Sequence, residues 1–168
     1  MILRASIFIA AMLAAGAACA QQPKAIGTFE QWGSYVAGAK GSLVCYVYGE
    51  PQKATGEYAK RGPVYVQVAN RQKDKVVGEL SVTAGYPYKP DSDVDLEIEA
   101  NKFSLFTKDE TAWARDAKTE AEAIKAMRAG KQMIVRGVSA RGTKTVDTYS
   151  LAGFTAAINA INQACGVK

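Results

Sequence analysis

Several groupings of residues in this chain have types and spacings that could do chemistry. Asp91, Asp93, Asp95, Glu97 and Glu99 fall on alternate positions. On a strand that spacing lines five carboxylates along one face, an arrangement open to a calcium ion, with Val94, Leu96 and Ile98 turned inward. An EF-hand loop, however, requires glycine where Leu96 stands and a carboxylate where Lys102 stands, so the plainer reading is a solvated strand face that resists edge-to-edge association. Gly137, Gly142, Thr143, Lys144 and Thr145 approach the pattern of a phosphate-binding loop. Thr143 separates the glycine from the lysine, and Val146-Asp147-Thr148-Tyr149 reads as extended chain where the motif needs a helix. Ser139 and Lys144 do not have the S-x-x-K spacing of a serine-lysine nucleophile.

The sequence contains no histidine, which removes Ser-His and Cys-His nucleophile pairs and histidine-based zinc or copper sites. These residues imply no enzyme, no cofactor and no metal site. Cys45 and Cys165 lie too far apart for a C-x-x-C redox pair, and in an oxidising compartment they are expected to form one structural disulfide. In the chain-entropy picture a loop that long restricts the unfolded state by about 4–5 kcal/mol.

The compartment follows from the first twenty residues. Arg4, an uncharged run from Ala5 to Ala17 and the small residues Ala18-Cys19-Ala20 read as a secretory signal peptide over 1–20. The run is too short and too rich in alanine and glycine for a spanning helix. Cys19 lacks the branched aliphatic residue that a lipoprotein signal carries three positions earlier, where Gly16 stands. Cleavage after Ala20 is therefore expected, leaving residues 21–168 as one exported domain without an integral membrane segment. Beyond Arg4 the chain holds 20 basic against 16 acidic residues, a net charge of +4. That excess is dispersed, which argues against a nucleic-acid partner.

The middle of the chain is expected to be antiparallel sheet. Leu43, Cys45 and Val47 alternate with Val44, Tyr46 and Tyr48; Val64, Val66 and Val68 alternate with Tyr65 and Gln67; Leu80 and Val82 alternate with Glu79 and Ser81. Breaks around Pro51, Gly62-Pro63, Gly85 and Pro90 have the spacing of a sandwich or barrel. Two short helices are expected. Thr119-Glu120-Ala121-Glu122 reads as a capping box, with Ile124 and Met127 buried and Gly130 as the stop. Phe154, Ile158, Ile161 and Cys165 mark the apolar face of a closing helix, which the disulfide would tether to the strand carrying Cys45.

Two surfaces invite a binding reading. Tyr46, Tyr48, Tyr65, Tyr86 and Tyr88 offer large contact area with polar tips, or ordinary sheet packing. The polar turn Ser139, Arg141, Thr143, Lys144 and Asp147 is either a contact surface or a stabilising β-turn in which Arg141 and Asp147 pair locally.

Trp32, Cys45 followed by Pro51, Arg61-Gly62-Pro63-Val64-Tyr65-Val66, Gly85-Tyr86, Met127-Arg128-Ala129-Gly130, the run from Val135 to Phe154 (VRGVSARGTKTVDTYSLAGF) and Cys165 together resemble the invasion-associated locus B family. The likeness spans Trp32 to Cys165, and SARGTxTxDTYSLxGF is its most specific part. It implies a mainly β, immunoglobulin-like antiparallel sandwich in the bacterial periplasm or envelope, without catalytic residues. The family is named for association with invasion of host cells, so the implied role is an interaction module for an envelope or host protein, in host-cell invasion or envelope integrity. The alternative class of function is a periplasmic small-ligand or metal-binding protein, or, with less support from the residues, an enzyme.

Overall fold

The computed structural model describes residues 22–167; the expected signal peptide, with Cys19, lies outside them. Eleven strands and two helices follow in chain order: β1 (Lys24–Phe29), β2 (Trp32–Ala37), β3 (Val44–Gly49), β4 (Lys53–Gly56), β5 (Tyr65–Arg71), β6 (Val76–Thr83), β7 (Asp93–Ile98), β8 (Asn101–Lys108), β9 (Thr111–Trp113), α1 (Ala117–Ala129), β10 (Gln132–Val138), β11 (Lys144–Ser150) and α2 (Phe154–Cys165). The protein is mainly β, as expected, and every strand pairing is antiparallel. Hydrogen bonding joins the strands into one sheet, β1-β2-β3-β5-β6-β9-β8-β7-β10-β11-β4.

The sheet folds over on itself because its alternating apolar residues need a common interior. Cys45, Val47, Val66, Val68, Leu80 and Val82 from one half share a core with Val94, Leu96, Ile98, Met133, Val135 and Tyr149 from the other. Full burial of each larger aliphatic side chain contributes about 1.5–3 kcal/mol. Trp32 Nε1 donates to the carbonyl of Ser150 at 3.0 Å, fastening β2 near one end of the sheet to β11 near the other.

α2 packs against β1, β2, β3 and β5. Its buried residues include Phe154, Ile158, Ile161 and Cys165, the predicted stripe. Phe154 meets the Trp32 ring edge-on at 4.9 Å. The Cys45–Cys165 disulfide is present, with Cα atoms 6.0 Å apart, and ties α2 to β3.

α1 begins earlier than its capping-box pattern indicates. Asp116 is the N-cap, its side chain accepting from the Thr119 backbone N–H at 2.8 Å, so Thr119 lies inside the first turn. An aspartate three residues ahead of a threonine satisfies the same exposed donor as a Ser/Thr box. Glu120 instead turns toward the sheet and accepts from the Leu80 N–H at 2.7 Å. Gly130 does close the helix, and Met127 is fully buried, while Ile124 is half-buried.

The acidic strand is shorter than its spacing implies. Val94, Leu96 and Ile98 are fully buried, but only Asp93, Asp95 and Glu97 lie on β7. Asp91 and Glu99 have φ of 57° and 51° and occupy the flanking turns. Asp93 accepts from Ser104 at 2.6 Å and from Arg115 at 2.5 Å, which hold its carboxyl below the usual range. Glu97 has Lys102 and Arg136 beside it, and Glu99 accepts from the Lys131 N–H. Among the described residues no cluster of three or more His, Cys, Asp or Glu side chains is placed to hold a metal ion, and no helix is long and apolar enough to cross a membrane.

Candidate functional site

The site grows from a detour of the chain. β3 sits near one end of the sheet, yet the next strand, β4, pairs with β11 at the opposite edge, and the chain must then return to place β5 beside β3. The return, residues 57–64, is a strap with no strand partner, and it carries Arg61 inward.

Arg61 is held at every donor-bearing edge. Its Nη1 and Nη2 donate to the two carboxylate oxygens of Asp147 at 2.7 and 2.6 Å, and its Nε donates to the Ala84 carbonyl at 2.7 Å. The rings of Tyr58 and Tyr86 lie 5.3 and 5.1 Å from the guanidinium carbon. Side-chain exposure is 4% for Arg61 and 3% for Asp147. Burial works against the arginine's charge, but the paired hydrogen bonds and attraction of Asp147 outweigh it and raise its pKa. Burial also keeps the neighbouring phenols of Tyr86, Tyr88 and Tyr149 protonated by raising theirs. Tyr86 shares a 2.5 Å hydrogen bond with Thr145.

Asp147 therefore does not belong to the exposed turn in which the sequence reading placed it, and its partner is Arg61 in place of Arg141. The cause is strand parity: Thr145, Asp147 and Tyr149 alternate inward along β11. A buried carboxylate then requires a cation, which the strap supplies.

The rest of the turn is built around Ser139. Its Oγ accepts from the N–H groups of Arg141 and Thr143, and Gly142, with φ of 85°, closes the reversal. Ser139 is thus engaged as a turn cap and is nearly buried. The Ala140 N–H donates to the Pro87 carbonyl at 2.8 Å, fixing the turn against the segment after β6. Arg141 and Lys144 project into solvent and Thr143 is half-buried.

Strap and turn face each other across a cleft of about 520 Å³. Ser139, Arg141 and Thr143 line one side and Glu57, Tyr58 and Lys60 the other. The floor includes Tyr86 and Gly85; the latter has φ of 70°, and a Cβ there would lie 2.4 Å from the Gly62 carbonyl oxygen. Only a residue without a side chain allows that approach. Glu110 enters from the two-residue β8–β9 hairpin, which is held by hydrogen bonds from the Ala84 and Tyr88 N–H groups to the Glu110 and Asp109 carbonyls. Lys144 lies outside this cleft, on an adjoining depression with Glu57 and Arg141.

The tyrosines divide. Tyr86 and Tyr88 pack edge-on at 5.4 Å below the turn, and Tyr88 is core. Tyr46, Tyr48 and Tyr65 lie half-buried on the outer sheet face, where Tyr46 stacks on Tyr35 at 5.2 Å and Tyr48 packs on Tyr65 at 5.0 Å. Much of their ring area is spent on one another. Arg61 is the site residue that motif reading missed as a functional group.

Fold and site together define a mainly β, disulfide-tethered protein with a preformed, charge-lined cleft at one end of its sheet. The family model described as Invasion associated locus B (IalB) protein matches residues 33–162, and the chain belongs to that family. Comparisons with curated proteins and with solved structures gave no match.

Proposed function

We propose that this protein is an exported, non-catalytic component of the bacterial periplasm or envelope that acts by binding an envelope or host protein, in host-cell invasion or envelope integrity. The recognition surface is the end of the sheet where strap and turn meet, with Ser139, Arg141 and Thr143 in the cleft and Lys144 beside it. The observation that carries this reading is the buried Arg61–Asp147 pair, which holds the strap against the sheet and keeps the cleft formed before any partner arrives. Membership of a family not known for catalysis supports the non-catalytic assignment.

Photo-crosslinking in cells from position 144 tests it. A discrete protein adduct that disappears with Arg141→Glu is the expected result. A folded, oxidised protein that yields no adduct would remove the turn from the recognition surface.

A further inference from the structure

Glu57, Lys60, Glu110 and Arg141 all line the cleft, two of each sign. None of the four side chains takes part in an ion pair or hydrogen bond of the described residues; Arg141 bonds Ser139 only through its backbone N–H. Elsewhere many charged groups are satisfied locally, as Arg61 is by Asp147, Arg71 by Glu79, Asp93 by Arg115 and Glu99 by the Lys131 N–H. A lone unpaired surface charge is ordinary, because exposed pairs are worth little. Four in one concavity are different, since a recess that holds side chains of both signs, none of them paired, offers partners to a ligand that itself carries both charges.

We propose that this cleft binds a small zwitterion, a short peptide with a free amine and a free carboxylate. The carboxylate would sit against Lys60 and Arg141, the ammonium against Glu57 and Glu110, and apolar parts against the rings of Tyr58 and Tyr86. A simple anion would meet the two glutamates and a simple cation the two basic groups, whereas a ligand carrying both charges finds a partner for each. The cleft's volume falls within the roughly 300–1,000 Å³ of small-molecule sites. This inference rests on reading the cleft as the recognition site and names the chemistry that it selects.

The probe is the dipeptide alanyl-phenylalanine, compared with its N-acetylated and its C-amidated forms by thermal shift on the oxidised domain. The free dipeptide at saturation is expected to raise Tm by roughly 5 °C, with most of that rise lost on capping either end. Arg141→Gln and Glu110→Gln should each weaken binding about tenfold, as expected for loss of one charge-assisted hydrogen bond. Equal shifts from free and capped peptides would overturn the zwitterion while leaving a ligand cleft in place. Absence of any shift, with the crosslinked adduct from position 144 still formed in cells, would overturn the ligand and leave the protein-partner reading standing.

Discussion

Arg61 and Asp147, 86 positions apart in sequence, meet through two nearly parallel hydrogen bonds with both side chains almost wholly withdrawn from solvent. The relationship is asymmetric in its consequences. An intact buried pair roughly repays its own desolvation, but either partner left alone is a charge without compensation in the interior.

Arg61→Leu should therefore destabilise the domain by about 3–5 kcal/mol, a large share of the ~5–15 kcal/mol typical of a folded domain. The double variant Arg61→Leu/Asp147→Leu should recover most of that loss. Urea denaturation of the single and double variants checks this; equal loss in both would show that the ion pair itself is stabilising.

Cys165→Ser should cost about 4–5 kcal/mol by the loop-entropy relation, since the bridge spans 120 residues. Amide hydrogen exchange should speed up first in α2, while β7 and β10 stay protected. Reductant should reproduce the effect in the parent protein and do nothing further to the variant.

Tyr149 presents the opposite case. Its hydroxyl is buried and has no hydrogen-bond partner among the described residues. Tyr149→Phe removes a polar atom that gains nothing, and stability should hold or rise by about 1 kcal/mol. Tyr86→Phe, which breaks the bond to Thr145, should lose a similar amount. Chemical denaturation of the two variants side by side distinguishes them.

Glu120 supplies a pH dependence. Burial against the sheet raises its pKa above the ordinary 4.5, despite the opposing hydrogen bond from Leu80. A raised carboxyl holds its proton more tightly folded than unfolded, so its favourable contribution is complete below about pH 4.5 and is lost as pH rises through the folded value. Glu120→Gln keeps an acceptor for Leu80 and removes the titration. The variant should be the more stable at about pH 7, and the gap should close on acidification toward the ordinary carboxylate range. Urea midpoints measured across that span provide the check.

Periodicity made the sheet legible wherever one face was apolar. Cys45 and Val47, Val66 and Val68, and Leu80 and Val82 all point inward as their alternation requires, and α2 buries its predicted stripe. The α1 start was misplaced because Asp116 and Thr119 are both competent capping residues, and only the backbone reveals which one stands outside the helix. The site was half legible. Ser139, Arg141 and Thr143 announce a polar turn, and the parity of Thr145, Asp147 and Tyr149 already contains the signal that Asp147 turns inward. Nothing local to Arg61 foretells its partner, because the pairing depends on β4 crossing to the far edge of the sheet. The single continuous sheet was also beyond reach, since its halves connect through β9, too short to show a period.

The disulfide has a consequence in time as well as in stability. Cys165 follows all eleven described strands in chain order, and Cys45 precedes eight of them. A chain made from its amino end exposes Cys45 early and must wait for Cys165 until β11 and α2 have been produced. Any product cut short before that point keeps Cys45 without this mate. The bond thus distinguishes chains that have reached α2 from shorter products, because only the former can form it.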